Sequence, residues 1–177
     1  MKSLEERIND LVREVPNFPK EGINFKDITP LFCNPEESKN IIKHFANQLR
    51  EQNVDVIAGI ESRGFLYGFP LALELNIPFV LIRKKGKLPP ETISVAYDLE
   101  YGSAEIEIIK DAVKAGQNVH IHDDLLATGG TAAAAGDLIR KCGAEVQGFS
   151  FLAELTFLNG KDSLANISPN IITLLRY

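Results

Sequence analysis

The chain has 177 residues, 45% apolar and 24% charged, enough for one globular domain with a single substantial core. A net charge of −5 argues against nonspecific nucleic-acid binding, which needs a basic surface, and two cysteines, Cys33 and Cys142, are too few and too far apart for a disulfide framework or a structural zinc site. The first residues hold no apolar signal-peptide core and no apolar run reaches membrane-spanning length, so a cytoplasmic protein without nucleic-acid or membrane partners is expected.

Leu4, Ile8, Leu11 and Val12 recur at helical spacing and predict an amphipathic helix over residues 4–14 that stops before Pro16. Residues 17–30, interrupted by Pro19, Gly22 and Pro30, read as a loop with a short edge strand. Pro35 opens a helix to Gln52 with Ile41, Ile42, Phe45 and Leu49 on its buried side, and His44 is an ordinary helix residue. Residues 54–60 form a short apolar strand, 65–75 a helix and 79–82 another strand. Residues 83–92, Arg-Lys-Lys-Gly-Lys-Leu-Pro-Pro-Glu-Thr, are basic and too polar to pack. Such a run usually marks a solvated face, but after a strand's carboxyl end its cations could gather around a diphosphate. The segment up to Leu99 is long enough for a mobile lid, with residues 93–97 adding a hairpin strand. Residues 105–108 alternate as a half-buried strand does, and 110–114 form a short helical turn ending at Gly116.

The most informative stretch is residues 119–131, Val-His-Ile-His-Asp-Asp-Leu-Leu-Ala-Thr-Gly-Gly-Thr. A β-branched apolar run ends in two carboxylates and turns through Thr-Gly-Gly-Thr into an alanine-rich helix over 132–142. Glycine lets successive N–H groups curl into one concavity, and the helix dipole adds positive potential, which suits a phosphate. Asp123 and Asp124 beside it would repel a free phosphate, so the ligand should offer them hydroxyls while its phosphate sits in the loop, as a ribose 5-phosphate does. Asp-Asp also occurs beside Mg-nucleotide sites, and Gly-Gly after a strand is often only a turn. His120 and His122 share one strand face; with no third ligand nearby, packed or hydrogen-bonded histidines are expected over a metal site. Residues 145–155 give a further strand and 171–175 a last one at the sheet edge, and this strand–helix alternation predicts a mostly parallel α/β sheet.

Residues 119–131 resemble the phosphoribosyl pyrophosphate (PRPP) signature of the type I phosphoribosyltransferases, in the form used by members that act on adenine. Three more segments carry the resemblance: the Phe-Pro-x-x-Gly-x-x-Phe-x-Asp-Ile run from Phe18, Gly59-Ile60-Glu61-Ser62-Arg63-Gly64-Phe65, and Tyr97-Asp98-Leu99-Glu100-Tyr101-Gly102. The resemblance implies the family fold, a central mostly parallel sheet flanked by helices, as a single domain over 1–177 with a small N-terminal hood near 15–30 and a mobile lid hairpin near 83–101. It implies transfer of the 5-phosphoribosyl group from PRPP to adenine, giving AMP and pyrophosphate for purine salvage. Asp123 and Asp124 would hold the ribose hydroxyls, and Ala127, Thr128, Gly129, Gly130 and Thr131 the 5-phosphate. Glu61, Ser62, Arg63, Arg83, Lys84 and Lys87 would receive pyrophosphate, with Arg63 also near the reacting centre. Ile23, Asn24, Phe25, Lys26 and Leu125 would bind adenine, Leu125 with Ile23 or Phe25 sandwiching the ring. Glu100 would orient the base from its imidazole side and Tyr101 help close the site. Mg²⁺ is expected, held mainly by PRPP oxygens and water, and the family implies a homodimer. Asn24, Lys26 and Pro90 depart from the family pattern. Lysine loses arginine's planar stacking and forked donation, and Pro90 stiffens the lid.

Two rivals are a phosphoribosyltransferase for another purine, disfavoured by the hood and Leu-Glu-Tyr-Gly, and a PRPP-sensing regulator, which would need a helix-turn-helix or basic face absent here. A Rossmann dehydrogenase is excluded by the lack of Gly-x-Gly-x-x-Gly.

Overall fold

A computed structural model describes residues 2–98 and 102–177, divided into two compact units, Met1–His44 and Phe45–Tyr177. In the first unit, helix α1 (Leu4–Leu11) starts at a capping box: Ser3 Oγ accepts the Glu6 amide at 3.1 Å and Glu6 accepts the Ser3 amide at 2.6 Å. The helix is shorter than its apolar spacing suggests. Val12 is already extended, and Arg13–Pro16 forms strand β1, antiparallel to β2 (Asn24–Asp27). Pro16 disfavours helical backbone at Val15, and the ladder to β2 offers the chain hydrogen bonds that another helical turn could not. A short helix not anticipated from the sequence, α2 (Thr29–Phe32), follows where Asp27 Oδ1 accepts the Thr29 amide at 2.9 Å. Helix α3 (Pro35–Leu49) starts in the first unit, where Ile41 is buried and Ile42 half-buried, and its residues from Phe45 on, with Phe45 and Leu49 buried, belong to the second.

The second unit holds β3 (Val56–Ile60), α4 (Gly64–Leu75), β4 (Phe79–Lys84), β5 (Thr92–Asp98), β6 (Ser103–Ile109), β7 (Asn118–Leu126), α5 (Gly130–Lys141), β8 (Glu145–Glu154), the 3₁₀ turn η1 (Thr156–Leu158) and β9 (Ile171–Arg176). Its seven-stranded sheet has the order β5-β6-β4-β3-β7-β8-β9. From β4 through β9 all neighbours are parallel, while β6 pairs antiparallel with both β4 and β5. The expected mostly parallel sheet, hairpin strand and edge strand are all present. Val56, Ala58, Ile60, Ile82, Val119, Ile121, Phe149 and Phe151 form its core with Leu138 and Ile139 of α5. From β3 the chain crosses to β4 on one side, and β7 lies on the other, so strand order reverses there and the carboxyl ends of β3 and β7 open a crevice.

Three local expectations change. Strand β7 runs on through Asp123 and Asp124 to Leu126, because its backbone keeps pairing with β8, Asp123 opposite Phe151 and Leu125 opposite Ala153. Residues 110–116 are turns without a helix, too short to repay helix nucleation. Glu107, read as the polar side of a half-buried strand, is 3% exposed. Its Oε1 accepts the amides of Lys87 and Leu88, both at 3.0 Å, and its Oε2 the Thr92 hydroxyl at 3.1 Å. Burial alone would raise its pKa, but the Leu88 amide, the Thr92 hydroxyl and the Lys87 and Gly86 amides together take it below the ordinary glutamate value.

His120 and His122 are both fully buried, and His122 Nδ1 shares a 2.8 Å hydrogen bond with Ser150 Oγ. Among the described residues neither ring nitrogen of His120 has a partner, nor does His122 Nε2. Burial, joined at His120 by the charge of His122, lowers their pKa from 6.5 to about 3 for His120 and about 4 for His122. Both stay neutral in the folded chain while the unfolded chain takes up protons below pH 6.5, so stability is full above that pH and drains as pH falls toward 4. Replacing His120 by leucine should flatten the fall of urea-unfolding free energy between pH 6.5 and 4.5 by up to about 1.4 kcal/mol per pH unit. An unchanged slope in His120→Leu would show that this ring does not control acid sensitivity.

Candidate active site

The loop leaving β7 builds a small cup. Gly129 caps α5 at φ 84, a left-handed conformation that a side chain would resist, and lets the chain enter the helix at once. The first amides of α5 have no carbonyl behind them within the helix and carry the positive end of its dipole. A pocket of 90 Å³ lies here, lined by Asp123 and Leu125 through Ala132.

Asp123 and Thr131 also line a larger cleft of 490 Å³, so the two spaces adjoin. The cleft takes Ile60 from β3, Glu61, Ser62 and Arg63 from the turn after it, Lys84 from β4, Tyr97 from β5, Ala104 and Ile106 from β6, and Asp123, Asp124 and Thr131. Asp124 is 7% exposed, its Oδ2 lies 2.7 Å from Arg63 Nε, and its amide donates to Asp123 Oδ1 at 2.8 Å. Burial and the charge of Asp124 push the Asp123 carboxyl well above the usual aspartate range. Burial also raises Asp124, with Arg63 opposing it. Ionising both carboxyls together is therefore costly, and the pair invites hydroxyl donors or a cation that favour the charged form.

The cationic side is held by carboxylates. Arg83 Nε and Nη2 reach the two oxygens of Glu61 at 3.2 and 3.3 Å, Arg83 Nη1 donates to the Lys87 carbonyl at 3.0 Å, and the Lys84 amide donates to Glu61 at 2.9 Å. Burial raises the Glu61 pKa, but the Lys84 amide, the Arg83 bond and the Arg83 and Lys87 charges prevail and keep it ionised below its ordinary value. Glu61 and Glu107 between them set the root of the basic turn.

Of the residues singled out in the sequence, Glu61, Ser62, Arg63, Lys84, Asp123, Asp124 and Thr131 meet in the cleft. Leu125, Ala127, Thr128, Gly129, Gly130 and Thr131 form the cup. Arg83 and Lys87 are not among the described lining residues: Arg83 turns to Glu61, and the Lys87 backbone turns to Glu107. Ile23, Asn24, Phe25 and Lys26 belong to the first unit. There Ile23 is 44% exposed, Asn24 Nδ2 donates to Glu14 at 3.0 Å, Lys26 pairs with Glu14, and Phe25 meets Phe18 edge-on at 5.3 Å. Glu100 and Tyr101 lie outside the described residues. Sequence reasoning passed over Tyr97, whose hydroxyl accepts from Thr131 Oγ1 at 3.2 Å, and Glu107. Tyr97 opens the same hexad as Glu100, which was the available signal; Glu107 had none, because burial of a strand's polar face depends on which turn folds over it.

Among the described residues no group of three or more His, Cys, Asp or Glu side chains could hold a metal ion. Asp123 and Asp124 are the acidic pair of the cleft, a donor set that fits a divalent cation carried chiefly by a ligand's own oxygens and by water.

Comparison with known proteins agrees with this chemistry. The family model for the phosphoribosyl transferase domain matches residues 33–155. The adenine phosphoribosyltransferase of Cytophaga hutchinsonii is 49% identical over 174 residues, 98% of this chain and 96% of its own. The crystal structure of the adenine phosphoribosyltransferase from Thermoanaerobacter pseudethanolicus superposes with a TM-score of 0.93 at 48% identity, covering 98% of this chain and 99% of that one. That from Saccharomyces cerevisiae, complexed with an imino-altritol bisphosphate and adenine, gives 0.91 at 43% identity, covering 99% and 100%. Agreement over nearly the whole of each chain, in sequence and in fold, has one reading: the chain belongs to the phosphoribosyltransferase family, among the adenine phosphoribosyltransferases.

Proposed function

We infer that the protein transfers the 5-phosphoribosyl group of PRPP to adenine, forming AMP and releasing pyrophosphate. The observation that carries this reading is the adjacency, at the switch point, of a cup formed by the loop before α5, an acidic pair, and the cations Arg63, on the turn after β3, and Lys84, at the end of β4. A molecule with a phosphate, vicinal hydroxyls and a diphosphate in that order matches them. Adenine forms its new nitrogen–carbon bond as the carbon–oxygen bond to pyrophosphate breaks, with positive charge growing on the ribose and negative charge on the leaving group. Fixed charges aimed at both centres lower that barrier. Asp123 and Asp124 hold the ribose hydroxyls and face the electropositive side, Ala127–Thr131 take the 5-phosphate, and Glu61, Ser62, Arg63, Arg83, Lys84 and Lys87 form the pyrophosphate side. Arg83 would leave Glu61 to do so. Ile23, Asn24, Phe25, Lys26 and Leu125 are assigned to adenine, Glu100 to orienting it and Tyr101 to closure, on resemblance alone. We read the chain as one domain with a hood near 15–30 and a lid near 83–101.

Mg²⁺ would neutralise the diphosphate, held mainly by PRPP oxygens and water with no direct protein ligand assigned. A cytoplasmic setting is supported by two free cysteines, and among the described residues no helix is long and apolar enough to cross a membrane. A homodimer is supported by helix α4, which exposes Leu66 at 47%, Phe69 at 50% and Leu73 at 64% along one stripe. Exposed apolar side chains aligned in this way mark a protein–protein surface.

Incubation with PRPP and adenine, hypoxanthine or guanine should release pyrophosphate with adenine alone, and chelation should stop it. Turnover of another base in preference to adenine selects the first rival, and binding without release the second. Asp124→Asn should weaken PRPP binding roughly 10- to 100-fold in calorimetry, the worth of hydrogen bonds to a charged acceptor. Equal affinity would remove the ribose assignment. Light scattering should give twice the chain mass for the parent and a monomer for Phe69→Glu with Leu73→Glu; a monomeric parent refutes the dimer.

A further inference from the structure

A loop that aims its amides into a phosphate site must turn its carbonyls out of it, and those carbonyls need donors and room behind. Behind this loop runs the segment that follows β8. The Leu126 carbonyl accepts the Leu155 amide at 2.9 Å, and the Thr128 carbonyl accepts the Ser163 hydroxyl at 2.9 Å. Between them the Ala127 carbonyl rests against Gly160, where a Cβ would stand 2.2 Å from the oxygen. The fit is reciprocal, since a Cβ on Gly129 would stand 2.4 Å from the Gly160 carbonyl. Two glycines therefore interlock where the loop meets its support.

The support is itself tied down. Glu154, 5% exposed, holds Lys161 Nζ at 2.7 Å and the Thr173 hydroxyl at 3.2 Å. The Thr156 amide donates to the Tyr177 carbonyl at 2.8 Å, turn bonds link Leu155 to Leu158 and Asn159 to Asp162, and Leu164 is fully buried. Neither Gly160 nor Ser163 is among the described residues that line the cup or the cleft, so any effect they have on a ligand passes through the loop.

We propose that residues 155–164 brace the phosphate loop, and that Gly160 and Ser163 are positioning residues for the 5-phosphate. The inference rests on the reading of residues 127–131 as the 5-phosphate site. Gly160 sets how far back the Ala127 carbonyl sits, and Ser163 holds the Thr128 carbonyl away from the anion it would repel.

Calorimetry with ribose 5-phosphate and, separately, with Mg-pyrophosphate tests it on the full chain. Ser163→Ala should weaken ribose 5-phosphate about fivefold, as loss of one hydrogen bond does. Gly160→Ala should weaken it at least about tenfold by forcing the loop forward. Mg-pyrophosphate affinity should match the parent in both variants, a split that general destabilisation would not give. Parental affinity for ribose 5-phosphate in Ser163→Ala, or equal weakening of both probes, overturns the brace; if Gly160→Ala does not fold, Ser163→Ala decides. A parent that ignores ribose 5-phosphate sinks the 5-phosphate reading itself, and the brace with it.

Discussion

Asp123 and Asp124 place two carboxylates on neighbouring residues of a buried strand, with one arginine at hand. Burial raises both pKa values, the charge of Asp124 raises that of Asp123 further, and Arg63 offsets only part of this. Such a pair weakens the fold that holds it, and it persists because the surrounding sheet is deeply packed: Ile121, Leu126, Phe149 and Phe151 are all at or near complete burial. Hydroxyl donors or a cation entering the cleft would relieve that electrostatic cost.

The opposite charge is handled in a complementary way. The basic turn after β4 would splay its cations apart if left to itself. Glu61 instead grips Arg83 and the Lys84 amide, and Glu107, on the strand beside β4, grips the backbone of Lys87 and Leu88. Two carboxylates thus preset the root of the turn without occupying its lysine side chains. A preset backbone of this kind costs little reorganisation on binding an anion, whereas Arg83 would first have to leave Glu61.

Parts of the site were legible because they are written in contiguous residues. The run from Val119 to Thr131 carries a strand, two acids, a left-handed glycine and a helix start in chain order, and each has a local cause. The same holds for the turn with Arg63 and for the strands 54–60 and 79–82. Helix α1 was overread because apolar spacing at Val12 could not disclose the pairing of Arg13–Pro16 with Asn24–Asp27. Glu107 was misjudged for a like reason: alternation reveals which residues share a face, not whether a turn covers it.

Residue order alone settled the class of the sheet, the acid pair beside a glycine-containing strand-to-helix loop, and the cationic turn, since each follows from local backbone preference and short-range periodicity. Which side chains meet was decided only by the folded chain. The crevice exists because strand order reverses between β3 and β7, bringing Arg63 to Asp124 across 61 positions of sequence. Tyr97 reaches Thr131, and Gly160 and Ser163 reach the loop at Ala127–Gly129, through the same long-range packing. Contacts between distant segments depend on register and crossover, which no local pattern encodes.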